Sequence, residues 1–261
     1  MMRSTIRDKG KKLAVGALVL LFWIGIWQVI AWRVGSQVMV PAPADAIRTL
    51  AQAAAAISFW KSIAVTLLRI VGGVAAACVC GILLAALTYH FNWLSTLLSP
   101  FLVMVKSVPV ASFIILLLIW LSTNLLPGVV VFIMVLPLIW SNVKKGLEQT
   151  DRELLEMAGV FHLSFLTKVK RIYIPSVIPY FTAGLTTAIG FGWKAGVTAE
   201  VLCTPKFSIG VQLYNAKVYL DTPSLFAWTM VVIIMSLVLE QLLVRLIRKG
   251  IARYQKHADS M

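Results

Sequence analysis

The chain alternates long uncharged runs with short charged stretches. Leu13 to Trp32 holds no charged residue, and Ile70 to Tyr89 is a second run of that kind. Phe101 to Leu121 is a third, interrupted by Lys106 and Pro109, and Leu125 to Trp140 is a shorter fourth that carries Pro127 and Pro137. Ile178 to Ala199 is a fifth with Lys194 inside it, and Leu225 to Val244 is a sixth with Glu240 near its end. A helix needs about 20 apolar residues to cross about 30 Å of hydrocarbon, so the pattern predicts an all-α integral membrane protein with six transmembrane helices. Composition agrees. The 261 residues are 60% hydrophobic and 13% charged, and the mean hydropathy is +0.89. One globular core of this size cannot hide that excess, so the bilayer acts as the solvent.

The charges sharpen the picture. The net charge is +14, which in a soluble chain would suggest nucleic acid. Here the cations fall in three clusters, and no nucleic-acid partner is expected. Arg3, Arg7, Lys9, Lys11 and Lys12 precede the first run. Lys144, Lys145, Arg152, Lys168, Lys170 and Arg171 lie between the fourth and fifth, and Arg245, Arg248, Lys249, Arg253 and Lys256 follow the sixth. Six spans put all three clusters on one side, and the positive-inside rule makes that side cytoplasmic. A cleaved leader ending near Ala42-Pro43-Ala44 is the competing reading of the N-terminus, but the apolar stretch exceeds the about 7–15 residues of a leader core. The expected organisation is an N-terminal tail, first span and extracytoplasmic segment over 1–59, a five-helix core over 60–248, and a cytoplasmic basic tail over 249–261. Within 1–59, the alanine-rich stretch Asp45 to Ile57 is expected to lie as a helix on the membrane surface.

Two spans carry small residues every four positions. Gly73, Ala77, Gly81 and Ala85 recur in the second; Gly184, Ala188, Gly192 and Gly196 recur in the fifth, where the next step is Glu200. Such stripes let helix backbones approach in lipid. A stripe on a moving interface or pore is the alternative, and it makes Gly192, Gly196 and Glu200 pathway candidates. Lys106 and Lys194 join them, because a charge inside a span is costly; each could instead snorkel to an interface. Glu200 is expected to pair with a lysine of another helix or of a second copy. Pro109 is expected to kink or unwind the third span and turn backbone groups toward a cavity.

Between the fourth and fifth spans lies a polar island, EMAGVFHLSFLTKVKRIYIP, from Glu156 to Pro175. Asp151 to Leu166 reads as a short amphipathic helix, with Thr150 or Asp151 as its cap and Glu153 in its first turn. Pro175 and Pro179 mark the start of the fifth span. On physical grounds the segment either lies on anionic headgroups through Lys168, Lys170 and Arg171 or docks a cytoplasmic protein in a groove.

The island resembles the coupling loop of ABC importer permeases, the binding-protein-dependent inner-membrane components. Their pattern is E-A-A, three residues, G, nine residues, then I-x-L-P. Glu156, Met157 and Ala158 are followed after three residues by His162 and, nine residues on, by Ile172 and Pro175. Met157 replaces an alanine. His162 replaces the glycine that permits a turn, so the bend at His162 is in question. TLLRIVGGVAAACVCGILLAALTY, SPFLVMVKSVPVASFIILLLIW and GWKAGVTAE are similar to the nitrate, sulfonate and taurine group of these permeases. The resemblance implies a type I importer-like homodimer. Two cytoplasmic ATP-binding subunits would grip Glu153, Glu156, Met157, Ala158, Gly159, His162, Ile172 and Pro175. An extracytoplasmic substrate-binding protein would deliver the solute, and membrane lipid would surround the dimer. ATP and Mg would sit on the partner ATPase, with no cofactor on this chain.

Enzyme chemistry finds no support in the residues. The chain lacks G-x-x-x-x-G-K-[ST], G-x-S-x-G and H-E-x-x-H, and so the usual phosphate cradle, nucleophile elbow and zinc helix. His90, His162 and His257 lie far apart, and Cys78, Cys80 and Cys203 make no zinc spacing. The alternatives are a carrier or channel that works without an ATPase, and the same permease type carrying a thiamine-precursor pyrimidine instead of a small anion.

Overall fold

The computed structural model describes the backbone of residues 2–258, and side chains from 15 to 245 with 243 excepted. The side chains of the basic N-terminal tail and of the predicted tail 249–261 therefore lie outside the described residues. The described chain is helical: α1 (Met2–Val34), α2 (Pro43–Ala54), α3 (Ile57–His90), α4 (Asn92–Ser107), α5 (Val110–Leu117), α6 (Leu126–Glu148), α7 (Arg152–Val160), α8 (Phe165–Lys168), a π-helical turn (Val169–Tyr173), α9 (Ile174–Cys203), α10 (Ile209–Val218) and α11 (Thr222–Ala258).

Among the described residues, five helical runs are long and apolar enough to cross a membrane: Val15–Val34, Ile57–His90, Leu126–Glu148, Phe165–Cys203 and Thr222–Leu242. The third predicted span, Phe101 to Leu121, is not one rod. It is α4 and α5, bent by 103° at the break between them. The physical reason is Pro109, which caps α5 in an extended conformation (φ −57°, ψ 135°) and cannot donate an intrahelical hydrogen bond.

The chain divides into two compact units. Residues 1–60 and 212–231 form the first. There Trp27 donates from its indole to the Pro41 carbonyl at 3.0 Å and stacks on Phe226 at 5.4 Å. Phe59 packs on Trp228, and the Thr222 hydroxyl donates to the Val38 carbonyl. The helix expected over Asp45 to Ile57 is α2, started by Pro43 and Asp45 in its first turn.

Residues 61–211 and 232–261 form the second unit. Its axis is α6, whose Val130, Val131, Met134, Val135, Ile139 and Val143 are all buried. The small-residue stripes explain how α3 and α9 close on it. A Cβ on Gly73 would stand 2.5 Å from the Gly128 carbonyl, and one on Gly81 2.9 Å from Ile139. On α9, a Cβ on Gly184 would meet Asn142 at 2.8 Å, one on Gly192 Val135 at 3.0 Å, and one on Gly196 Ile70 at 2.6 Å. Van der Waals contact between close backbones therefore holds α6 between its neighbours. At one end of the seam, Ile114 of α5 joins Leu126, Val130, Met134, Ala195, Ala199 and Cys203 in an apolar cluster. Near the other, Trp140 donates to the Thr88 hydroxyl at 2.9 Å, which itself donates to the Leu84 carbonyl.

Candidate functional site

Two regions at opposite ends of α9 carry the polar and exposed chemistry. The first is the polar island. Asp151 caps α7 by accepting from the Glu153 amide at 2.9 Å, and Glu153 sits in the first turn where the helix dipole favours it. The predicted single helix from Asp151 to Leu166 is instead two. α7 stops at Val160, and α8 starts anew behind Ser164, whose hydroxyl accepts from the Thr167 amide.

The stop is made by His162, at φ +48°. The Leu163 amide reaches back to the Ala158 carbonyl and the His162 amide to the Gly159 carbonyl, both at 3.0 Å. This pair of bonds is the Schellman closure, which needs a left-handed residue where His162 stands. The turn that glycine would permit is thus present with histidine in it. Histidine is among the side chains that tolerate this region better than most, at a strain of about 1 kcal/mol.

The island is exposed on its apolar side. Met157 is 49% exposed, Val160 77%, Phe161 70%, Phe165 74% and Leu166 78%. Glu153, Glu156 and Gly159 are exposed as well, while Ala158 is fully buried and anchors the helix. Ile172 is buried too. It lies in the π-helical turn, where the Ile174 amide bonds to the Val169 carbonyl five residues back. Pro175 has no amide for the Arg171 carbonyl and its ring crowds that oxygen, so the turn before it widens. The Ser176 hydroxyl then donates to the Ile172 carbonyl at 2.8 Å. The sequence places the start of the fifth span near Pro175 and Pro179. The structure starts α9 at Ile174, keeps Pro179 inside it, and runs helix from Phe165 to Cys203.

The second region lies where α9 ends. Glu200 is fully buried. Its partner is not a lysine: Arg69 of α3 donates from Nη1 to Oε1 at 3.3 Å. Thr66 Oγ1 donates to Oε2 at 2.8 Å, and the Gly210 amide donates to the same oxygen at 3.3 Å. Arg69 also donates from Nη2 to the Lys206 carbonyl at 2.9 Å and to Asn124 Oδ1 at 3.2 Å, and from Nη1 to the Phe207 carbonyl at 3.4 Å. The Lys206 amide donates to Asn124 Oδ1, and the Ile209 amide to Thr66 Oγ1. A buried carboxylate is costly unless paired and hydrogen-bonded, and here every partner is supplied.

One cluster therefore fastens α3, the segment before α6, α9 and the loop after it. That loop holds Thr204 and Phe207 at φ +47° and +51°. The Lys61 ammonium stands 3.6 Å over the Phe207 ring, a cation–π contact. Gly210 must be glycine, because a Cβ there would stand 2.3 Å from the Glu200 Cβ and 2.4 Å from its carbonyl carbon.

The remaining pathway candidates are not gathered together. Gly192 and Gly196 face α6 and are buried in the seam. Lys194 is exposed on the face of α9 that also carries Phe191 and Thr198. Lys106, at the last turn of α4, is exposed and donates to the Ser141 hydroxyl at 3.2 Å. Ser141 precedes Asn142, which faces Gly184, whereas Lys194 lies between the glycines that face Val135 and Val131. The two lysines thus sit at different levels of the bundle. Sequence reasoning missed Arg69, Thr66 and Asn124. The available signal was an arginine at the edge of the second run, at the same end as the acid that closes the fifth. Among the described residues, no His, Cys, Asp and Glu group could hold a metal ion.

Five apolar helices and one bent pair make this a multi-pass membrane chain, and its likeness to known proteins gives the class. Residues 77–253 match the family described as the binding-protein-dependent transport system inner membrane component, and the chain belongs to it. It is 26% identical over 230 residues to a "probable ABC transporter permease protein" of Haemophilus influenzae, covering 87% of this chain and 90% of that one. It is 29% identical over 194 residues to the nitrate import permease protein NrtB of Synechococcus elongatus, covering 70% and 69%. It is 24% identical over 161 residues to the bicarbonate transport system permease protein CmpB of the same species, covering 60% and 57%. A crystal structure of an amino acid ABC transporter with histidines superposes with a TM-score of 0.59, at 14% identity, over 75% of this chain and 93% of that one. That likeness establishes the fold alone. The chain is a multi-pass membrane protein, the permease subunit of an ABC importer, and a transport component.

Proposed function

We propose that this permease forms a homodimer in the bacterial cytoplasmic membrane, with both termini in the cytoplasm, and imports a small anion at the expense of ATP hydrolysed by two partner subunits. The observation that carries the reading is the exposed strip Met157, Val160, Phe161, Phe165 and Leu166, at the register of the family's coupling pattern. Where such an apolar helical strip projects beyond the lipid, it would need a groove to cover it. Glu153, Glu156 and Gly159 flank the strip and would set its register on the ATPase, with Ala158, Ile172 and Pro175 fixing its angle to α9. His162 contributes the turn between α7 and α8.

ATP binding moves the equilibrium only if the ATPase pair holds the two permease states with different affinity. The continuous run from Phe165 to Cys203 would deliver that difference to the membrane. A nitrate-, bicarbonate- or sulfonate-like solute is favoured by the relatives named for nitrate and bicarbonate, with Lys106 and Lys194 as the cations available to an anion. A binding protein on the extracytoplasmic side would supply the solute.

The test is reconstitution of the full chain in proteoliposomes with its ATPase and binding protein. ATP-dependent uptake of labelled nitrate, bicarbonate or taurine is expected, with loss in Glu156→Arg. Equal uptake without the ATPase would establish a carrier or channel instead.

A further inference from the structure

At the Glu200 end of α9, the loop from Thr204 to Ser208 is tied down along its length. The Thr204 amide donates to the Glu200 carbonyl at 3.0 Å, and the Ser208 hydroxyl accepts from the Val211 amide at 3.0 Å. Between these ends Arg69 donates to the Lys206 and Phe207 carbonyls, and Asn124 accepts from the Lys206 amide. Pro205 and Ser208 are buried, whereas Lys206 and Phe207 are exposed, Phe207 by 48%. Phe207 stands at φ +51°, a region that bulky side chains seldom enter and that persists only where the surroundings enforce it. The loop thus turns an aromatic ring outward on a backbone that is already immobilised.

Charge supplies a second, independent observation. The Lys61 ammonium lies over the Phe207 ring, and Lys206 is the ring's neighbour in the chain. Both lysines are exposed, and neither has an acidic partner among the described residues. Of the acids within 61–211, Glu148, Asp151, Glu153 and Glu156 lie at or beyond the far end of α6. Glu200 stands at this end, and Arg69 already neutralises it. An outward apolar ring is therefore flanked by two uncompensated cations. With the polar island in the cytoplasm, this end faces the other side of the membrane, where the positive-inside rule leaves few lysines. Aromatic anchors on a preordered backbone carry protein interfaces, and a cationic rim selects a partner of opposite charge.

We infer that Phe207, Lys61 and Lys206 form the docking point for an acidic surface of the extracytoplasmic binding protein. The inference rests on the importer reading above and adds to it where, and by what chemistry, that partner is received. The ring seats in an apolar recess of the partner, and the lysines meet carboxylates around it. A docked partner thereby touches the loop that Arg69 ties to Glu200 at the end of α9.

The test places the full chain with its ATPase in phosphatidylcholine nanodiscs and measures binding of the fluorophore-labelled binding protein of the same transport system, by anisotropy at several salt concentrations. The unmodified transporter should bind, and its affinity should fall as salt rises. Lys61→Glu combined with Lys206→Glu should weaken binding about tenfold or more at low salt and flatten the salt dependence. Lys61→Arg combined with Lys206→Arg keeps the charge and should bind like the parent. Phe207→Gly keeps access to the left-handed backbone but removes the ring, and should weaken binding about tenfold. Where a variant does not fold, acetylation of the unmodified chain decides: Lys61 and Lys206 should be protected when the binding protein is present, and Lys168 at the other end of the unit should not. Full affinity in both the double glutamate variant and Phe207→Gly, or equal acetylation of Lys61 and Lys206 with and without the partner, overturns the inference and leaves the importer reading standing. So does protection conferred by adding phosphatidylglycerol to the bilayer and not by the partner. Absence of any binding to the unmodified transporter overturns both.

Discussion

The two ends of α9 are built on opposite terms. At Glu200 a buried carboxylate has every partner it needs, and Gly210 leaves no room for a methyl group. At the other end, Val160, Phe161, Phe165 and Leu166 stand in the open, and the turn behind them rests on a strained His162. The first arrangement holds helices together. The second is incomplete without something else to cover it. Substitutions at the two ends should therefore separate stability from activity.

The largest effect is expected at the closed end. Glu200→Leu leaves the Arg69 side chain, only 15% exposed, with no counter-charge, which should lower unfolding free energy by about 3–5 kcal/mol. Glu200→Gln keeps an amide oxygen that can accept from Thr66 and Gly210, loses only the charge toward Arg69, and should cost distinctly less. Unfolding in mixed micelles or bicelles measures both, and a loss under about 1 kcal/mol for Glu200→Leu would contradict the arrangement.

Next comes the open end. Glu156→Arg should reduce ATP-driven uptake by about a hundredfold, as loss of an interface anchor does. Its unfolding free energy should stay within about 0.5 kcal/mol of the parent, as for other surface changes. A matching drop in stability would mean that Glu156 supports the fold and not a docking surface.

Smaller still is the seam. Gly196→Leu must displace Ile70, which a Cβ would approach to 2.6 Å, at a cost of about 1–3 kcal/mol. Gly190→Leu on the same helix meets nothing within 4 Å and should be near neutral. Equal effects at the two positions would dismiss close packing as the reason for the stripe. The smallest effect is at His162. His162→Gly relieves the left-handed strain but loosens the unfolded chain, leaving a net gain of about 0.5 kcal/mol or less. His162→Val should lose about 1 kcal/mol, since a β-branched side chain tolerates that region poorly. Circular dichroism melts of both variants give the order.

Much of this was legible in the residues because the lipid allows few solutions. An uncharged run of bilayer length has only a helix open to it, and Gly184, Gly192 and Gly196 could be read as packing because their spacing is that of one helix face. A cap at Thr150 or Asp151 followed from their place before Glu153, and the bond from the Glu153 amide to Asp151 decides between them. What failed was everything that depends on where two distant segments meet. Glu200 drew notice as a lone acid at the end of a run, yet its partner Arg69 is 131 positions away, on the margin of another run, where a basic residue excites no suspicion. The turn at His162 was in question because a histidine says little by itself about φ; the hydrogen bonds of Leu163 and His162 to the preceding helix settle it. Pro109 announced a break but not its 103° angle, which is set by how α5 packs on Leu126, Val130 and Ala195.

The widened turn ahead of Pro175 has a mechanical consequence. α9 is 30 residues long, which at helical rise is about 45 Å, so a tilt of about 10° about its start would carry its tip roughly 8 Å. The turn is the fulcrum of that lever, and Glu200 lies close to the tip, where the stroke is longest. A bolt placed there would oppose any such tilt with the longest lever arm, so the Arg69 contact holds the rod against rotation about the turn.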